Sequence, residues 1–233
     1  MGAHTSRVVV CGFEGYENLE ESQNPSRLVA TRLADEGIDV SGADTSADTR
    51  VDTSTRELLS DTRIEVTSVL LPLSFAHAWP TLEATLRETR PQMVLATGLK
   101  TRARTIALER CARNIIDAPR PDADDVQPQN TSIIEGGPAA YWTRIPLRAV
   151  SRQFARQDIP ATLSSDVGTF VCNALFYEML HWASGEQDAY AGFLSVPPIE
   201  RPLGYTKGME LQTMVDAARS VVTTTLAYRK ALT

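Results

Sequence analysis

Cys172 sits in the stretch 160–177, PATLSSDVGTFVCNALFY, whose residue types could do chemistry. A half-apolar, β-branched run, IPATLSSDV, reads as a strand. It turns at Gly168-Thr169 and continues as FVCNALFYEMLHW, an apolar-rich segment that reads as a helix. The thiol therefore falls in or near the first turn of a helix that follows a strand. Unpaired backbone N–H groups and the positive end of the helix dipole favour a thiolate there, the form in which cysteine is a nucleophile. The competing reading is a packed core cysteine, since unpaired Cys is among the most buried residue types. Cys11 and Cys111 are scattered from it, and the three cysteines lack metal-ligand spacing. Of the three histidines, His4 lies near the N-terminus and His181 nine residues beyond Cys172. His77 follows the LLPLS run, where it is either a base at a strand end or a first-turn helix residue.

The elements that must position these groups alternate along the chain. RVVVC (7–11) is a short buried strand closed by Gly12. Asn24-Pro25 opens a helix, with Asn as cap and Pro at the first helical position, and Gly37 stops it. The polar run 38–63 is expected as an exposed excursion within a single domain spanning 1–233. IEVTSVLLPL (64–73) and PQMVLATG (91–98) read as strands, with a Ser74-capped helix between them. IALERCARN (106–114) is ambiguous between strand and helix, and 117–138 is too rich in Pro, Asp and Gly for an ordinary connection. A helix over 146–157, the Cys172 unit, the strand YAGFLSV (190–196) and a helix over 208–230 complete the chain. Strands separated by helices imply an α/β fold with a mostly parallel central sheet covered on both faces. Sites in such sheets lie at the carboxyl ends of the strands, so Gly12–Tyr16, Ser74–His77, Gly98–Thr101, Gly168–Cys172 and Ser195–Pro198 are expected on one rim.

Composition narrows the function classes. With 233 residues, 42% hydrophobic, the chain can bury a sizeable core. A net charge of −6 argues against a nucleic-acid surface, and no apolar run approaches a membrane span. Three scattered cysteines and no basic-then-apolar N-terminus point to a cytoplasmic setting.

The segments GTFVCN (168–173), GGPAAYWTRIP (136–146) and ALERCARNIIDA (107–118) resemble the pyrrolidone carboxyl peptidases, the type I pyroglutamyl peptidases. GFEGYENLEESQNPS (12–26) and AGFLSVPPIE (191–200) match the family's opening loop and last site loop more loosely. The resemblance implies a three-layer α/β/α sandwich assembling as a homotetramer or homodimer. It implies no metal and no organic cofactor, and an activity that removes an N-terminal pyroglutamyl residue through cysteine, histidine and glutamate. Carried over by position, the nucleophile is Cys172 and the glutamate Glu109, while the family's histidine falls on Ser195. A serine has no titratable nitrogen to take a proton from a thiol. The same resemblance assigns Phe13, Tyr16, Leu99 and Arg110 to substrate binding. Leu99 replaces a polar amide, and the flexible glycines that follow it in the family are absent. Arg110 reads equally as a buried partner for Glu109.

Three functions compete. The retained Cys172 and Glu109 favour a repurposed enzyme acting on a cyclic or amide-bearing small molecule. The second is a working peptidase for peptide N-termini in which His77 or a bound water replaces the base. The third is a non-catalytic binding or scaffold protein.

Overall fold

The computed structural model describes residues 4–15, 23–40, 51–200 and 208–232. Its centre is a sheet built from β1 (His4–Phe13), β2 (Thr62–Leu71), β3 (Met93–Leu99), β4 (Ile106–Glu109), β7 (Ala161–Ser164) and β8 (Tyr190–Val196), in the order β2-β1-β3-β8-β4-β7. Two further strands, β5 (Cys111–Arg113) and β6 (Ala140–Trp142), pair antiparallel beside it. β2, β1, β3 and β8 run parallel to one another. β4 joins β8 antiparallel and carries β7 parallel to itself. The ambiguous run 106–114 is thus two strands, broken at Arg110. Hydrophobic pattern alone does not encode strand direction: β4 and β7 run against the rest of the sheet, yet Gly98–Thr101, Gly168, Cys172 and Ser195 of the expected rim still meet around one cavity.

Side chains alternate between the two faces of each strand. Val8, Val10, Leu95, Leu108, Leu194 and Val196 face one layer. That layer is α1 (Pro25–Glu36), α2 (Thr53–Leu59), α4 (Leu147–Arg156) and α6 (Leu211–Lys230). Val9, Cys11, Val94, Ala96 and Phe193 face the opposite layer, formed by α3 (Ala78–Thr89) and α5 (Val171–Gly185). Helices therefore cover both faces, as an α/β/α sandwich requires. None of the described helices is long and apolar enough to cross a membrane.

The run 38–63 departs from expectation. Of its described residues, Ile38, Val40, Val51 and Leu59 are buried, and α2 packs on α6. Its Asp and Thr content is spent on a cap: Asp52 accepts from Thr55 N–H and Thr55 Oγ1 at the start of α2. Residues 41–50 of that run lie outside the described part.

The α1 start is built as the sequence predicts. Asn24 Oδ1 accepts from Ser26 N–H at 3.0 Å, and Gly37 closes the helix at φ 66°. Asn24 Nδ2 also donates to the Phe13 carbonyl, tying the helix to the carboxyl end of β1. Asn24→Ala removes these bonds, and the one Asn24 Oδ1 accepts from Ser26 Oγ, at a buried position and is expected to cost about 2 kcal/mol, the upper part of the range for helix caps. Urea denaturation checks this, and an unchanged midpoint contradicts it.

Candidate active site

Glu109, Phe193 and Ser195 share the α3/α5 face, because Glu109 is the register partner of Phe193, and Ala107 that of Ser195. The antiparallel joint thereby sets the end of β4 diagonally beside Ser195. Ser195 Oγ donates to Glu109 Oε1 at 2.6 Å, and both residues are buried. The other carboxylate oxygen, Oε2, is buried with no hydrogen-bond partner among the described residues. A buried acceptor left in that state costs about 1–3 kcal/mol or more.

Gly98 is the register partner of Ser195 on the neighbouring strand β3. A methyl group at Gly98 would lie 2.7 Å from Phe193 Cζ and 3.1 Å from Cys172 Sγ. The thiol consequently rests on bare backbone, and any larger residue at 98 would displace it or the Phe193 ring. Cys172 is the second residue of α5, as the strand–turn–helix pattern predicts. Its seat is fixed by neighbours. Asn173 accepts from Arg113 N–H and donates to the Arg113 and Ile115 carbonyls, pinning the helix start to β5. Asp166 accepts from Gly168 N–H at 3.1 Å and pairs with Arg113, shaping the turn that feeds the helix at Gly168, φ 88°.

A cavity of about 300 Å³ opens over these groups. Gly98, Leu99, Lys100, Cys172, Phe193 and Ser195 line it, with Thr101, Arg102 and the 166–168 turn at its edge. Lys100 Nζ donates to the Asp166 carbonyl at 2.8 Å and lies 3.5 Å from Glu109 Oε1. At the N-cap of α5, the Arg120 guanidinium lies over the Phe170 ring, 4.6 Å from its centre, and Phe75 meets the same ring edge-on.

Electrostatics correct one expectation. The Cys172 thiol is pushed up to about 12, first by loss of solvent and then by the Glu109 carboxylate. Arg120 and a backbone hydrogen bond act in the opposite direction and do not prevail. Cys11, buried on the same face of β1, is also held above the ordinary thiol range by burial and by Cys172. The helix start therefore does not arm the resting thiol, because desolvation and a neighbouring anion outweigh it.

The other expected residues divide. Leu99 lines the cavity. Phe13 is buried in the apolar layer and is absent from the lining. Arg110 does not pair with Glu109: its Nε donates to Ser165 Oγ and its guanidinium lies 5.9 Å from the Trp142 ring centre. Tyr16 lies outside the described residues. His77 is not brought to the cavity. It is exposed at the start of α3, with Nε2 3.8 Å from Asp124. His181 meets the Tyr141 hydroxyl at 2.9 Å. Lys100 carries no role in the sequence reading, although it stands two residues after the strand-end Gly98, where a cation can reach the rim.

The chain as a whole has relatives. A family model for pyroglutamyl peptidase matches residues 6–228. The chain belongs to the pyroglutamyl peptidase family. Among curated members, the pyrrolidone-carboxylate peptidase of Thermococcus onnurineus is 31% identical over 94% of this chain and 98% of its own length. Pyrrolidone-carboxylate peptidase 1 of Ralstonia nicotianae is 32% identical over 94% of this chain and 92% of its own. The crystal structure of Bacillus amyloliquefaciens pyroglutamyl peptidase I superposes with a TM-score of 0.78, at 26% identity and with 96% of this chain and 98% of that chain covered. The pyrrolidone carboxyl peptidase from Thermococcus litoralis gives the same TM-score at 28% identity, covering 98% of this chain and 96% of that chain. The family's fold is kept nearly end to end.

Below its pKa, a thiol's ionised fraction grows tenfold per pH unit. Alkylation of Cys172 by iodoacetamide, followed by peptide mass spectrometry, is expected to accelerate about tenfold per unit from pH 7 to 10 with no plateau. A plateau below pH 8 contradicts the neutral resting thiol.

Proposed function

We propose that this family member is a cysteine hydrolase that cleaves the amide following a cyclic, lactam-bearing residue at the N-terminus of a peptide or small amide, with pyroglutamate the first candidate. The observation that carries the reading is the Cys172 thiol seated on Gly98 at the mouth of the cavity, beside the buried Ser195–Glu109 pair. Cys172 attacks the carbonyl, the C–N bond breaks as the thiol proton ends on the departing amine, and water then cleaves the C–S bond of the thioester to release the acid and restore the thiol. Glu109 is the fixed anion of the site, held by Ser195. Family membership and the names of the relatives support the substrate class.

Ser195 occupies the family's histidine position in this reading, and a hydroxyl cannot accept the thiol proton near neutral pH. Loss of a positioned general base lowers rates by about 10²–10⁴. Turnover of a neutral pyroglutamyl amide is therefore expected to be slow at pH 7. A second reading, a repurposed enzyme for another cyclic or amide-bearing small molecule, is favoured by Leu99 and Lys100 in the lining. An apolar side chain and a cation there replace a polar amide and a flexible run. A scaffold role has no use for a thiol and a buried carboxylate at one cavity.

Release of p-nitroaniline from pyroglutamyl-p-nitroanilide tests the reading. Cys172→Ala is expected to abolish release, and Glu109→Gln to lower kcat by about a hundredfold or more while leaving the melting temperature within a few degrees. Ser195→His alone is expected to raise turnover less than about tenfold, since Leu99 and Lys100 still shape the cavity. Release that survives Cys172→Ala sinks the assignment. Full activity in Glu109→Gln removes the carboxylate from it.

A further inference from the structure

The charges that line the cavity do not cancel. Lys100 Nζ lies 3.5 Å from Glu109 Oε1, so its ammonium answers the buried carboxylate. Asp166 Oδ1 accepts from Arg113 Nη2 at 3.1 Å on the turn that leads to Cys172. Arg102 is the remaining charged residue of the lining. It is exposed, and its guanidinium has no hydrogen bond or ion pair among the described residues. We infer that Arg102 selects substrates carrying a carboxylate on the residue after the cleaved bond, an inference that rests on the hydrolase reading.

The connection between β3 and β4 puts this cation where it is. Residues 89–108 hold no Asp or Glu, while Lys100, Arg102 and Arg104 fall close together, in a chain whose net charge is −6. Their turn is pinned by its backbone. Lys100 N–H donates to the Val196 carbonyl at 2.9 Å, and Ala103 N–H to the Lys100 carbonyl at 2.8 Å. The main chain at Arg102 is thereby held at the cavity edge, and its side chain, unlike that of Lys100, has no carboxylate of the protein to satisfy. A guanidinium stays charged at every working pH, and its paired N–H donors match the two oxygens of a carboxylate.

Substrate chemistry says which end meets it. Closing an N-terminal glutamate into its lactam joins the amine to the side-chain carboxyl and removes both charges. The groups around the thiol suit such a neutral ring: Gly98, Leu99, Phe193 and the Ser195 hydroxyl. The acyl side therefore brings nothing for a cation to bind, and the charge at the edge serves the departing amine. A carboxylate there, on the side chain or at the chain end, is drawn in, and a basic residue is repelled. Because Arg102 stands at the open mouth, salt weakens the attraction.

Three peptides of nearly equal size test this. Pyroglutamyl-glutamine amide is neutral, pyroglutamyl-glutamic acid α-amide carries a side-chain carboxylate, and pyroglutamyl-glutamine carries a terminal one. They are cleaved in competition, and the released amines, measured by mass spectrometry, give ratios of kcat/KM. A ratio is unaffected by any general loss of activity. At low salt, wild type is expected to prefer at least one carboxylate peptide over the neutral one by about fivefold, the worth of a well-formed exposed ion pair. The arm that gains identifies which carboxylate is read. The preference is expected to fall below about twofold in Arg102→Gln and to turn against the carboxylate in Arg102→Glu.

A second pair of probes does not need the hydrolase reading. Iodoacetate and iodoacetamide both alkylate Cys172 with loss of iodide, and they differ by one negative charge. The ratio of their rates is expected to drop about threefold or more in Arg102→Gln. If wild type cleaves none of the peptides but this ratio drops, the substrate reading fails and the charge selection stands. Wild-type peptide ratios within about twofold of one, or a preference that persists in Arg102→Gln, overturn the inference. Where no peptide is cleaved, an unchanged alkylation ratio overturns it.

Discussion

A carboxylate taken fully out of water is expensive unless its charge and lone pairs are met, and Glu109 is such a group. The hydrogen bond from Ser195 Oγ at 2.6 Å and the approach of Lys100 Nζ at 3.5 Å are what meet it. The cavity's chemistry depends on this arrangement. The anion helps keep the Cys172 thiol protonated at rest, draws a lysine inward from the rim, and leaves one oxygen, Oε2, without a partner among the described residues. Replacing Ser195 by an apolar residue would strand the carboxylate and change every other member of the group.

Sheet topology makes the meeting possible. Glu109 ends a short strand that runs against its neighbour and faces Phe193 across the pair, so its carboxylate stands diagonally beside Ser195, two residues further along β8. Gly98 comes from the parallel side of the same neighbour. The helix that delivers Cys172 can press onto β3 only because residue 98 has no side chain. Strand direction, one glycine and one helix start thus place three parts of the site from three distant parts of the chain.

Much of this frame is legible in the amino-acid sequence for physical reasons. Asn24, Pro25 and Gly37 punctuate α1 because each answers a backbone need at a helix end. YAGFLSV is β8 residue for residue, since a short buried strand between turns reads clearly. The seat of Cys172 at a helix start also follows from local pattern. What pattern cannot carry is the direction of β4, which depends on pairing with strands far along the chain. Nor does it show that Arg110 turns to Ser165 while Lys100 turns to Glu109, a choice made by packing. The protonated resting thiol escapes local pattern for a similar reason. The helix start is a local feature, whereas desolvation and the Glu109 charge arise only in the folded cavity.

The central claim is that Cys172 forms a covalent acyl intermediate in this cavity. Rapid acid quench of the protein mixed with pyroglutamyl-p-nitroanilide, followed by peptide mapping, reads it most directly. The account predicts a mass increase of one pyroglutamyl group on the peptide containing Cys172, absent when that residue is alanine. An increase on the Cys11 or Cys111 peptide instead, or turnover with no acylated cysteine at any quench time, would contradict it.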